Sequence, residues 1–277
     1  MSDGAARPDG VVLYDKRSGI SSAKAVAEVR RALGGRSIKV GHAGTLDPFA
    51  TGLLLILVGR ATRVQRFLMA LPKAYSVTAR FGATSTTGDP EGEIVETGVV
   101  PDGDLALPTG RLRQRPPAYS AVKVGGRRAY ALARAGNPEL ELAEREIEVY
   151  RFEERWRDGD RRGFEIGCSS GTYVRSLIAE LGDAYCEELR RTAIGPFEVA
   201  MADPEVLIGL PRALEFLPSV RLEGELARAV GHGRRVSVDV AFPDTVRLIG
   251  DEGLIALAEA DGGDWKPVVG FSPPIPT

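Results

Sequence analysis

The sequence predicts an α+β fold, a mixed and mainly antiparallel sheet with flanking helices, followed by a small, mostly β C-terminal module. Strand-like and helix-like stretches occur without the regular alternation that a doubly wound parallel sheet requires. Several segments alternate apolar and polar residues with period two, whereas a few others carry apolar residues at helical spacing. Beyond about residue 212 the chain becomes a run of short strand patterns around one helix. Its 277 residues suffice for two domains. A composition of 43% apolar and 27% charged residues is that of an ordinary folded chain.

The elements follow in order. "VVLY" (11–14) reads as a short buried strand that ends in the turn "KRSGISS". Ser21 or Ser22 then caps a helix to about Leu33, with Ala25, Val26, Val29 and Ala32 at helical spacing and Gly34-Gly35 ending it. "KAYSVTARFG" alternates Tyr75, Val77, Ala79 and Phe81, so Tyr75 shares a face with a buried set. "REIEVYRF" and "GFEIGC" read as further strands, and "YVRSLIAELGDAY" as a helix with Val174, Leu177, Ile178 and Leu181 inward. Two prolines bracket "IGLPRALEFLPSV", which marks a boundary and divides the chain into 1–212 and 213–277. The second part offers the helix "RLEGELARAVGHG" and the strands "RRVSV", "TVRLIG", "LIALAEA" and "KPVVGF", enough for a partly open barrel. The tail "SPPIPT" is expected to be loose.

Charge and composition narrow the function. The N-terminus "MSDGAARPDG" lacks the basic and apolar pattern of a secretion signal, and no apolar run approaches the ~20 residues of a membrane span. Cys168 and Cys186 are too few for a disulfide scaffold and lack zinc-site spacing, so a reducing cytoplasm fits best. The net charge is −2, yet the charges are grouped. Residues 48–88 carry five Lys or Arg and no acid, 110–136 carry seven and no acid, and 89–104 carry six acids and no base. Grouped cations are what a phosphate-binding face requires if the fold brings them together; a solvated surface balanced in space is the alternative.

Within "GHAGTLDPFATGLLLILVGRAT" (41–62), Asp47 stands before a proline in a Gly- and Thr-rich bend, with no other acid until Asp89. Proline pushes Asp47 out of the helical region, so an Asx turn is its simplest role. A carboxylate without an acidic neighbour is also free to pair with one cation or to act as a nucleophile. In "CSSGTYVRSL", Tyr173 and Arg175 lie two apart; in an extended stretch both point the same way, and the guanidinium could fork onto a carboxylate. No GxGxxG after a strand, no Walker A loop and no metal-ligand cluster is present, so no cofactor or metal is expected.

These stretches, together with "KAYSVTARFG" and "RPPAYSAVKVGGRRAYALARAG", closely resemble the bacterial tRNA pseudouridine-55 synthase family of the TruB type, in the family's order and over most of residues 11–199. The resemblance implies a pseudouridine-synthase fold with a C-terminal PUA-like module over 213–277. It implies a reaction in which the glycosidic bond of a flipped-out uridine is cleaved and the base is rejoined through C5, with tRNA (the T-stem-loop) as partner. No cofactor, membrane or protein partner is required, and nothing demands more than a monomer. Residue by residue, Asp47 falls on the catalytic aspartate and Tyr75 on the tyrosine that stacks on the base and serves in proton transfer. Tyr173 and Arg175 fall on a pocket pair, with the arginine bridging to the aspartate. His42 falls on a residue that fills the space left by the base, and Leu189 on an apolar pocket residue. The segment at about 112–137 resembles an RNA-clasping insertion, in which Tyr119, Lys123, Arg127 and Arg128 are candidate RNA contacts. The chain departs from the family pattern at Lys16-Arg17, where relatives read Lys-Pro, and at Thr86, where many carry Asp; both positions are expected to lie outside the catalytic group. Two other classes compete: a non-catalytic RNA-binding or tRNA-folding protein of the same fold, and a glycoside hydrolase. The hydrolase needs a second carboxylate about 5–10 Å from the first, and no motif around Asp47 supplies one.

Overall fold

The computed structural model describes residues 9–35, 37–117, 119–120, 123–124, 127–128, 142–238 and 244–276, with the backbone alone at 123–124, 127–128 and 272. The strands are β1 (Gly10–Lys16), β2 (Val40–Ala43), β3 (Thr51–Val58), β4 (Lys73–Phe81), β5 (Ala83–Ser85), β6 (Ile94–Glu96), β7 (Gly110–Gln114), β8 (Lys123–Val124) and β9 (Arg127–Arg128). They continue with β10 (Arg145–Asp158), β11 (Arg161–Cys168), β12 (Ala184–Ile194), β13 (Phe197–Glu198), β14 (Asp203–Gly209), β15 (Ser219–Arg221), β16 (Thr245–Gly250), β17 (Gly253–Asp261) and β18 (Asp264–Ile275). Helices are α1 (Ser22–Ala32), α2 (Gln65–Ala70), α3 (Val174–Ala179), α4 (Leu210–Ala213) and α5 (Gly224–Gly231).

The main sheet runs β14-β1-β3-β12-β4-β11-β10-β7, with β2 added beside β3 and β13 beside β12. Its pairings are antiparallel except β3 with β12, which pair in parallel through Thr51–Arg190 and Gly52–Arg191. The predicted mixed, mainly antiparallel α+β architecture is therefore the observed one. β3 explains the long apolar run at 53–58. Leu53, Leu55 and Leu57 face one core and Leu54, Ile56 and Val58 another, so the strand is buried on both faces. At about 2 kcal/mol for each fully buried aliphatic side chain, this strand firmly anchors one end of the loop that precedes it.

Ser21, not Ser22, caps α1 by accepting a hydrogen bond from Lys24 N. Ser22 instead accepts from Leu46 N at 3.0 Å and donates to Leu46 O at 3.1 Å. The helix expected over 173–185 ends at Ala179. Gly182 adopts φ +137°, and Ala184, Tyr185 and Cys186 are drawn into β12 by pairing with Phe81, Arg80 and Ala79 of β4.

The C-terminal sheet has the order β15-β16-β17-β18. Here "RRVSV" contributes, among the described residues, only a bridge in which Val236 and Trp265 exchange both main-chain hydrogen bonds, at 3.1 and 2.8 Å. The tail expected to be loose is ordered through Ile275, which pairs with Leu254 and is buried. β18 is an edge strand, so Pro273 and Pro274 break no ladder on its open side. Leu254, Leu257, Val269, Phe271 and Ile275 share one core with Val11, Leu13, Leu53, Leu55 and Leu57. Arg60 and Arg63 donate to the carbonyls of Pro273 and Gly270 at 2.7 and 2.6 Å.

Candidate active site

The loop between β2 and β3 carries Asp47, and three buried polar side chains tie it down through its main chain. Lys16, at the end of β1 and fully buried, donates to the carbonyls of Pro48 (3.2 Å), Ile20 (2.9 Å) and Arg17 (3.0 Å). Ser22 holds Leu46 from both sides. Arg191, on β12, donates to Gly44 O (3.1 Å), Thr45 O (3.4 Å) and Leu53 O (2.8 Å). Gly52 makes this approach possible. Its φ is +100°, and a Cβ there would stand 2.3 Å from the Arg191 carbonyl oxygen.

With its main chain fixed, the Asp47 side chain is aimed rather than folded back. Its carbonyl accepts from Ala50 N at 3.2 Å, while Oδ2 lies 2.9 Å from Arg175 Nε. The carboxylate thus pairs with a cation instead of closing the Asx turn that the sequence also allowed. Arg175 does not fork onto it. Its Nη1 lies 2.9 Å from Asp89 Oδ2, and Nη1 and Nη2 also donate to the carbonyls of Thr87 (2.5 Å) and Tyr119 (2.9 Å). One guanidinium therefore bridges two carboxylates, and both Arg175 and Asp89 are only 4% exposed.

Asp89 corrects the expectation that no second acid comes near Asp47. Its Oδ1 accepts from Thr87 Oγ1 at 2.5 Å and from Glu91 N at 3.0 Å, which together with Arg175 uses both oxygens. With both oxygens so committed, Asp89 serves the arginine rather than acting as the free second carboxylate of a sugar hydrolase. A sequence signal existed: "TTGDPEG" repeats the Asp-Pro in a Gly- and Thr-rich turn found at Asp47. Thr86 is beside this group, where its hydroxyl accepts from Glu93 N at 3.0 Å. Lys16 likewise belongs to the Asp47 loop rather than lying outside it.

Asp47, Tyr75, Tyr173, Arg175 and Leu189 all line one cavity of about 630 Å³, together with Arg66, Lys73, Arg145 and Arg191. Tyr75 and Lys73 reach it from β4, and Leu189 and Arg191 from β12. A buried Gln114 fixes Tyr173 by accepting from its N at 2.8 Å and donating to its O at 3.0 Å. The Arg145 guanidinium stands 5.0 Å from the Tyr173 ring centroid. His42 is on β2, two residues before the wall residue Gly44, and Gln65 Nε2 donates to its carbonyl at 2.6 Å. Tyr119 lines a second cavity, of about 440 Å³, beyond Arg175. The backbones of Lys123 and Arg128 pair across β8 and β9. The side chains of Lys123, Arg127 and Arg128 lie outside the described residues, as does most of 121–141.

Burial pushes the Asp47 carboxyl above the usual carboxylate range, and Asp89 adds to this; Arg175 and Lys16 oppose the rise without overcoming it. Burial lowers Lys16 and Lys73 to about 8. The Tyr75 phenol is pushed up by burial, with Arg191 acting most strongly the other way. Among the described residues no group of three or more His, Cys, Asp or Glu could hold a metal ion. The chemistry on offer is a carboxylate aimed by a guanidinium into a largely cationic pocket beside a phenol.

Residues 30–174 match the TruB family pseudouridylate synthase (N terminal domain) model. The tRNA pseudouridine synthase B of Thermobifida fusca is 40% identical, covering 95% of this chain and 99% of that protein. That of Aromatoleum aromaticum is 37% identical, covering 92% and 89%. Among solved structures, a chain of a Cbf5-Nop10-Gar1 complex superimposes with a TM-score of 0.66 at 27% identity, covering 91% of this chain and 78% of that one. A chain of an H/ACA RNP bound to a substrate RNA containing 2′-deoxyuridine shares the fold, with a TM-score of 0.65 at 23% identity, covering 95% and 84%.

Proposed function

The chain belongs to the TruB family of pseudouridylate synthases, and we propose that it converts uridine 55 in the T-loop of tRNA to pseudouridine with Asp47 as the nucleophile. That it is a tRNA pseudouridine synthase follows from its family and from relatives of that name over nearly its whole length. The position in the RNA and the residue roles are our reading. The observation that carries it is the 2.9 Å contact of Arg175 Nε with Asp47 in the wall of a cavity that also holds Tyr75.

The reaction breaks C1′–N1, forms C1′–C5, removes the proton from C5 and returns one to N1, so atoms balance with no redox partner. A base inside an RNA loop must first leave its stack, at a cost of a few kcal/mol. Stacking on an aromatic face recovers about 1–3 kcal/mol, and Tyr75 supplies that face. Asp47, whose ionised form Arg175 favours against desolvation, makes the covalent attack. Tyr75 also serves in the proton transfer from C5. Tyr173 and Leu189 bound the base, and His42 fills the space it leaves. Tyr119, Lys123, Arg127 and Arg128, in the 112–137 insertion, contact the RNA. The PUA-like module at 213–277 adds a further RNA surface, and one chain acts alone in the cytoplasm. Competition from a non-catalytic RNA-binding role is weakened by the retention of Asp47, Tyr75 and Arg175 together.

The test is tritium release from tRNA labelled at uracil C5, followed by mapping of the modified position. Release with pseudouridine at position 55 is expected. Release with modification elsewhere removes the site assignment, and no release removes the activity.

A further inference from the structure

Arg191 is a buried cation on β12, in the wall of the cavity. It is 2% exposed, and its guanidinium meets three main-chain carbonyls, two of them in the Asp47 loop. Among the described residues no carboxylate pairs with it. Carbonyls alone are a costly way to keep a guanidinium out of water. Its place in the sheet offers a reason for it. Arg191 is the cross-strand partner of Tyr75 in the β4–β12 ladder, so the two side chains stand directly opposite each other, on the cavity face. A guanidinium has five N–H donors in a fixed plane. Three reach carbonyls, which leaves donors for a neighbour on the cavity side.

We propose that Arg191 is a positioning residue of the isomerisation, holding the Tyr75 hydroxyl and the Asp47 loop in one frame so that phenol and nucleophile meet the base from fixed directions. This rests on the function proposed above. A planar cation can do it because Nη2, Nη1 and Nε take Gly44 O, Thr45 O and Leu53 O and two N–H donors are left for the phenol opposite on β4. The phenol agrees with this arrangement: Arg191 pulls its pKa down against burial, while Cys168 and Asp47 push it up. Lys73, two residues before Tyr75 on the same strand face, does not duplicate the role. Its ammonium is turned to the carbonyls of Met69 and Leu71 at the end of α2.

The test uses the full chain carrying Arg191→Lys, Arg191→Met, Tyr75→Phe and the double substitution Tyr75→Phe with Arg191→Lys. In single-turnover tritium release, Arg191→Lys is expected to slow the reaction about a hundredfold while the tRNA Kd stays within about threefold, because an ammonium cannot span the frame. In the Tyr75→Phe background the same change is expected to cost less than about tenfold, since the contact is already gone. Equal losses in both backgrounds, or a loss confined to Kd, would overturn the proposal in favour of simple support for the loop. Ultraviolet difference titration against Tyr75→Phe reads the phenol without substrate. Its midpoint is expected to rise in Arg191→Met, and an unmoved midpoint counts against the contact. Should Arg191→Met fail to fold, the cycle built on Arg191→Lys decides alone. If the wild-type protein released no tritium, the functional reading would fall, while the titration would still decide whether Arg191 governs Tyr75.

Discussion

Two clusters of charge in this protein pair arginines with carboxylates at similar distances and differ in their access to water. On the outer face of β10 and β11, Arg151, Glu153, Arg155 and Glu165 form a ladder with contacts of 2.5 to 3.2 Å, every member more than two-fifths exposed. Behind the cavity, Arg175 bridges Asp47 and Asp89 at 2.9 Å, with Lys16 and Arg191 beneath the loop. Solvent screens the first cluster, so each of its pairs contributes about 0–1 kcal/mol. The second is built on Arg175 and Asp89, whose side chains are at most 5% exposed, and removing Asp89 leaves the buried guanidinium short of a partner at a cost of several kcal/mol. Contact distance alone therefore does not tell a working ion pair from an ornamental one; burial does.

The strongest way to sharpen this contrast is Asp47→Asn. Turnover is expected to fall by about four orders of magnitude or more, as when a nucleophile is removed, while tRNA affinity measured by filter binding stays within twofold. Its melting temperature at pH 7 should not drop. The folded-state pKa of Asp47 is raised, so the stability this group contributes is present at low pH and lost as pH rises through that pKa. Above that pKa the ionised form is a burden, so the neutral amide is not expected to weaken the fold.

Asp89→Asn comes next. Arg175 would keep only one anionic partner, and single-turnover rates should fall about a hundredfold from misaimed Asp47. Urea unfolding should show a loss of about 3 kcal/mol. Wild-type rates in this variant would show that one carboxylate is enough to aim the arginine.

A smaller effect is expected in the pH profile. Because burial raises Asp47, the acid limb of kcat/KM should lie above that of an ordinary carboxylate. In Lys16→Met it should move to still higher pH, since Lys16 is one of the two cations opposing the rise. A limb that moves down or stays put would contradict the electrostatic role of the lysine. Least of all, Glu165→Gln should change stability by less than about 1 kcal/mol and leave turnover untouched. If it costs as much as Asp89→Asn, the contrast between the two clusters fails.

Much of the site was legible as local chemistry. Asp47 stood out because its acid-poor, glycine-rich bend is unlike a solubilising surface, and Tyr75 because strand alternation put it on the buried face. Leu189 and Arg191 share one face of β12, so the alternation that served for Tyr75 could have flagged the arginine as well. The loop anchors were not legible in the same way. Lys16 reads as a surface lysine at the end of a strand, and only the meeting of β1 with the loop after β2 buries it. The helix expected over 173–185 was overextended because Leu181 continued the helical period, while the claim of β4 on residues 184–186 was invisible along the chain.

By itself the sequence determined the fold class, the family and the identity of the nucleophile candidate, because apolar periodicity and a dense local motif are properties of neighbouring residues. Tertiary structure alone decided that Arg175 serves two carboxylates, that Asp89 belongs to the site, and that the C-terminal sheet shares a core with β3. Those facts depend on which distant segments exclude water from one another, and desolvation sets the strength of a charge only after the chain has closed around it.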